Sequence, residues 1–152
     1  RLTKEEFEAL TEEFTIFLAS QGVDKETWDS MKKDEQERAE GFLDLFSDFI
    51  FDKSFGETRY MERITETEIH VYLFQEKSAH HMGVKIKGNS GASFLDGHLS
   101  TLFVDLLKKG ELEFWQGTKE FVKPRQQEMY DVMLKGATLS KGDLYRSMLS
   151  LL

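Results

Sequence analysis

The 152-residue chain reads as an α+β protein, a four-stranded, mainly antiparallel sheet packed with helices in the order ααβββαβαα. Three observations carry that reading. Both ends hold capped helical stripes of apolar period 3.6, residues 57 to 87 switch to period two, and a short alternating run follows at Glu111 to Gln116. The size is that of one domain, so residues 1–152 are expected to share one core.

The first helix is predicted over residues 4 to 20. Thr3 and Glu6 spell a capping box, Leu2 and Phe7 flank it as a staple, and Leu10, Phe14, Phe17 and Leu18 continue the stripe to a left-handed stop at Gly22. Asp24 caps a second helix, with Val23 placed to staple against Trp28. Asp34 restarts or continues it, Phe42, Leu43, Phe46, Phe49 and Ile50 give it an apolar stripe, and Asp52 to Gly56 read as the loop that leaves it.

From Glu57 the alternation predicts three strands. Residues 57 to 64, rich in charge, suit an edge. Ile69, Val71 and Leu73 then form one aliphatic row and Met82, Val84 and Ile86 another, with Glu76 to Ala79 as the turn. Opposing Leu73 to Met82, Val71 to Val84 and Ile69 to Ile86 puts three apolar pairs on one face; the other face then opposes Phe74 to His81 and Glu68 to Lys87. Lys87 to Gly91 is a connector. Ser93 with Asp96 caps a helix through Leu106 that Gly110 ends, and Leu112 with Phe114 marks the fourth strand. Pro124 suits a first helical position before Met129, Val132 and Met133, and Leu139 to Leu144 set a cap and staple for a last helix through Tyr145, Met148 and Leu151.

Composition narrows function by exclusion. A net charge of -8 repels phosphate backbones and anionic lipid surfaces, so neither nucleic acid nor a membrane is an expected partner. No apolar run is long enough to span a bilayer, and the absence of Cys fits a soluble protein of the cytoplasm and removes thiolate chemistry and disulfides. His80 and His81 are adjacent and point to opposite faces, Asp96 and His98 diverge on a helix, and no HExxH spacing occurs; no metal or other cofactor is expected. Gly88 to Ser93 departs from both the GxSxG elbow and the phosphate loop. With 28 acidic residues, chance carboxylate pairs are too many to single one out.

What remains is the second face of the sheet, where His70, Tyr72, Phe74 and His81 gather and Trp115 joins them. Rings with polar tips favour interfaces. That face is either covered by the terminal helices, the reading that layered packing favours, or left open as a groove or a dimer surface. The runs Leu2 to Leu10, Val23 to Trp28 and Thr138 to Tyr145 resemble a family of small uncharacterised bacterial proteins. The resemblance implies a bacterial single-domain chain and carries no catalytic residue.

The sequence thus assigns no reaction. It favours a non-enzymatic binding or assembly module acting through the aromatic face on a protein partner or on its own copies. The rivals are a small hydrolase or isomerase using carboxylates with His70 or His81, and a small-ligand-binding protein with a cavity between the terminal helices and the sheet.

Overall fold

A computed structural model describes residues 1–88 and 91–151; Asn89 and Ser90, inside the expected connector and the GxSxG comparison, lie outside the described residues. The chain divides into two compact units, Arg1–Ser54 and Phe55–Leu152.

The first unit is helical. Thr3 caps α1 (Lys4–Ala9) through the expected box, its hydroxyl accepting from Glu6 N and its own amide donating to the Glu6 carboxylate, both at 3.2 Å. The single helix expected over 4 to 20 is two, because Leu10 leaves helical geometry at φ −108° and ψ 24° before α2 (Thr11–Ser20). The Thr11 hydroxyl donates to the Glu8 carbonyl at this point, a local bond that competes with the helical ladder. At the far end Val23 N donates to Leu18 O and Gly22 N to Ala19 O, with Gly22 at φ +76°. That is the double-bonded left-handed stop, and Leu18 and Val23 share the apolar cluster that usually accompanies it.

Asp24 accepts from Thr27 N at 2.7 Å and opens α3 (Lys25–Asp34); hydrogen bonding from the Thr27 side chain, and then from its amide, holds the Asp24 carboxyl below the ordinary range. After a break at Glu35, α4 runs from Gln36 to Glu57, through the stretch 52 to 56 that reads as a loop in the sequence. Gly56 costs about 1 kcal/mol inside a helix, which does not decide the matter once Phe55 is fully buried one residue earlier. Phe46, with no exposure, is ringed by Phe7, Phe14 and Phe17 at centroid distances of 6.1, 5.0 and 5.4 Å. Trp28 lies edge-on to Phe14 within the cluster of Leu18, Val23, Met31 and Ala39.

The second unit is a five-stranded antiparallel sheet, not a four-stranded one, in the order β4-β3-β2-β1-β5. Its strands are β1 (Tyr60–Ile64), β2 (Glu68–Phe74), β3 (Ser78–Ile86), β4 (Leu112–Glu120) and β5 (Thr138–Ser140). Residues 57 to 64 are therefore not an edge: β1 starts at Tyr60 and lies between β2 and β5, a strand of three residues that the sequence reading takes for a helix cap. β4 is also longer than expected.

In the central hairpin Ile69 faces Val84, Val71 faces Met82, Tyr72 faces His81 and Phe74 faces Ala79. The predicted pairing is off by two residues, since the turn is Glu76-Lys77 alone, closed by Gln75 N donating to Ser78 O at 2.8 Å. A shift of two preserves the faces. Ile69, Val71, Met82, Val84 and Ile86 therefore share one core with Phe103 and Leu106 of α5 (Leu99–Lys108) and with Tyr145 and Met148 of α7 (Asp143–Leu151).

Ser93 does not cap α5. Its hydroxyl accepts from Leu95 N in a turn, and Gly97 at φ +67° interrupts any helix before His98, which caps α5 without a side-chain bond. Phe94, nearly buried, is tied by its amide to Glu66 O at 2.8 Å. Pro124 is the N-cap, one position before the expected one, of α6 (Arg125–Leu134).

An aromatic ladder on the second face of the sheet

Strand alternation places side chains opposite one another across the sheet in rows. On the face opposite the α5–α7 core, one row reads Arg63, His70, Gly83, Trp115 and the next Met61, Tyr72, His81, Gly117. Phe74 and Ala79 follow in a third. The five predicted residues thus stand side by side.

They form a continuous stack. Trp115 meets the edge of His70 at 5.6 Å, His70 stacks on His81 at 5.1 Å, His81 on Tyr72 at 4.6 Å, and Tyr72 on Phe74 at 6.0 Å. Phe121, just past β4, extends the ladder from Phe74 at 6.0 Å. Two of its members are enclosed, His70 at 7% exposure and Phe74 at 2%, whereas Tyr72, His81 and Trp115 are half-buried.

The two imidazoles are bonded, His70 Nδ1 to His81 Nε2 at 2.9 Å. His70 Nε2 is buried and has the Glu68 carboxylate 3.5 Å away. The assignment that suits both nitrogens puts a proton on His70 Nε2, toward Glu68, and lets His81 Nε2–H donate to the bare His70 Nδ1. Burial is the main cause that lowers the pKa of both rings, joined at His70 by the charge of Arg63 and at His81 by His70 itself, which together bring His81 to about 4. Near neutral pH the ladder is uncharged. Burial likewise pushes the Tyr72 hydroxyl above its ordinary value.

His80, on the other face as expected, bonds the buried Tyr145 hydroxyl through Nδ1 at 2.6 Å. It takes no part in the ladder. Among the described residues no group of three or more His, Asp or Glu could hold a metal ion. An apolar groove of about 530 Å³ between α5 and α7, lined by Leu99, Phe103, Val104, Leu144 and Met148, lies away from the ladder.

Two polar residues that sequence reasoning passed over hold this region. Arg125, at the start of α6, donates to Phe55 O at 2.7 Å, Thr58 O at 2.6 Å, Phe74 O at 3.2 Å and Gln75 O at 3.0 Å. It therefore secures the strand end that carries Phe74. Glu128, buried, accepts from Lys123 N at 3.1 Å, from Lys119 Nζ at 3.0 Å and from Val122 N at 3.1 Å, bonds that in this order hold its carboxyl below the ordinary range. Their only sequence signal is Pro124 followed by acid and base in a first helical turn.

The chain matches, over residues 1–152, the model of a family of unknown function (DUF6495), and it belongs to that family. The resemblance to an uncharacterised family is thereby borne out. No curated protein and no solved structure matches the chain.

Proposed function

We propose that this member of a family of unknown function is a non-enzymatic binding module, and that its working surface is the ladder of His70, Tyr72, Phe74, His81 and Trp115 engaging a protein partner. The observation that carries the reading is the ladder's electrostatic state. Half-buried rings with neutral polar tips give large apolar contact at low conformational cost, the mix found where protein surfaces meet. The net charge of -8 argues against nucleic acid or an anionic membrane as the partner, and no helix of the described residues is long and apolar enough to cross a membrane. The proposal sets the module in the cytoplasm, where a cysteine-free chain is at home.

The Glu68–His70–His81 series favours a second reading, since a carboxylate behind bonded imidazoles can orient a general base. Its weakness is basicity. A base with a pKa of about 4 is far from the operating pH at which proton transfer is efficient.

A photo-crosslinking amino acid placed at position 72 tests the first reading in cells. A discrete protein adduct is expected, lost on Trp115→Ala and absent when the crosslinker sits at exposed Ile16. Equal adducts from both positions would sink it. For the second reading, turnover of any ester or amide in a broad screen that is abolished by His81→Gln would establish it over the first.

A further inference from the structure

The two ends of the sheet differ. At one end β5 presents three residues, while at the other β4 presents nine, of which Gln116 to Glu120 are exposed. Phe121 N donates to Lys77 O and Lys87 N to Glu111 O, so the odd-numbered residues of β4 bond to β3. Antiparallel alternation then turns the amides and carbonyls of Leu112, Phe114, Gln116, Thr118 and Glu120 outward.

We propose that this edge pairs with the same edge of a second copy of the chain, β4 to β4 and antiparallel, about a two-fold axis through Gln116. The residues of β4 select both the partner and the register. With Gln116 opposite itself, Glu113 faces the partner's Lys119 and Trp115 faces the partner's Gly117. Both are non-hydrogen-bonded pairs, in which side chains approach closest. Within one chain Glu68, Lys85 and Glu113 already stand in a cross-strand row of alternating charge, which the partner's Lys119 continues.

The indole gains a second glycine in the same way. Trp115 lies over Gly83 in its own chain, and the space where Gly117 would carry a Cβ is open. A two-fold through Trp115 would instead oppose Glu113 to Gly117, and one through Gly117 would oppose Trp115 to Lys119; neither brings Glu113 to Lys119 or the indole to the open face of Gly117. Edge charges ordinarily deter strand pairing, but here their signs are self-complementary. Lys119 bonds Glu128 while its side chain stays 67% exposed, and its ammonium has donors to spare.

The inference rests on the β4 edge and is separable from the reading of the ladder. Sedimentation of the whole chain between about 1 and 300 μM, the range expected for an edge contact of modest area, should show a species of twice 17.7 kDa. Thr118→Pro removes an outward donor and leaves the bonds to β3 intact; the folded variant should be monomeric. Glu113→Lys and Lys119→Glu should each weaken association at least about tenfold, and the two together should restore it. As the chain has no Cys, Gln116→Cys should oxidise to a covalent dimer.

A monomer throughout that range overturns the proposal, as does a folded Thr118→Pro that still dimerises. Should Thr118→Pro not fold, a dimer indifferent to both single charge reversals overturns it instead. A monomeric chain whose position 72 still yields an adduct with another protein would sink the pairing and leave the ladder reading standing.

Discussion

The indole of Trp115 occupies the volume that a side chain at Gly83 would need, with its Cε2, Cζ2 and Nε1 atoms nearest the backbone there. The cross-strand pair is thus a ring covering a glycine, and each residue explains the other. A glycine inside a strand weakens it, and the indole returns the lost contact.

Gly83→Ala should therefore cost about 1–3 kcal/mol by forcing the ring aside. In a Trp28→Phe background, where Trp115 is the sole indole, its emission should shift to the red in the folded state. An unshifted spectrum with unchanged urea midpoint would contradict the geometry.

Arg125 joins four carbonyl oxygens from the end of α4, the approach to β1 and the end of β2. Replacement by Ala removes a charged donor from four carbonyls, three of the bonds being part-buried, so a loss of about 2–4 kcal/mol is expected in chemical denaturation. Arg125→Lys should recover only part of it, because an ammonium cannot present the planar fork that reaches four acceptors.

The His81 pKa lies at about 4 in the folded chain against an ordinary 6.5. Below 6.5 the unfolded chain takes up a proton that the folded one refuses, so this group's contribution is present above that pH and is lost as pH falls toward 4. His81→Gln should abolish that part of the slope: the stability difference between variant and parent should change between pH 6.5 and 4 and be flat above pH 7. Titration of the His81 ring by NMR with a midpoint near 6.5 would refute this.

We take residues 1–152 as one folding domain despite its two compact units. Trp28 reports on the first and Trp115 on the second. Urea transitions of Trp28→Phe and Trp115→Phe, each read by its remaining indole, should then coincide once the stability effect of each substitution is removed; separated transitions would show two domains.

Much of the fold was legible because its signals are local. Thr3, Asp24, Gly22 and Gly110 declare helix ends through neighbours within a few residues, and period two identifies β2 and β3 without knowledge of their partners. Register was harder. Aliphatic rows fix parity and nothing more, so the choice between a two-residue and a four-residue turn at Glu76 shifted every pair while leaving Val71 and Val84 on one side.

The members of the ladder were readable for the same reason of parity, but their order was not. That His70 bonds His81, whereas Tyr72 is the residue directly opposite His81, depends on side-chain rotation that alternation does not encode. β5 and Arg125 were hidden because each depends on residues far along the chain: three residues carry no period, and a lone Arg at a helix start looks like any solvated charge. Glu128 was hidden although its partners Lys119, Val122 and Lys123 are near in sequence, because no period or cap spacing marks the turn that brings them to it.

The Arg125 bonds also set a schedule for synthesis. They reach back 70 residues to Phe55, 67 to Thr58 and 51 to Phe74. On the ribosome the whole β1–β3 meander is therefore made before the guanidinium that ties its base, so these bonds close only after Arg125 itself has been added.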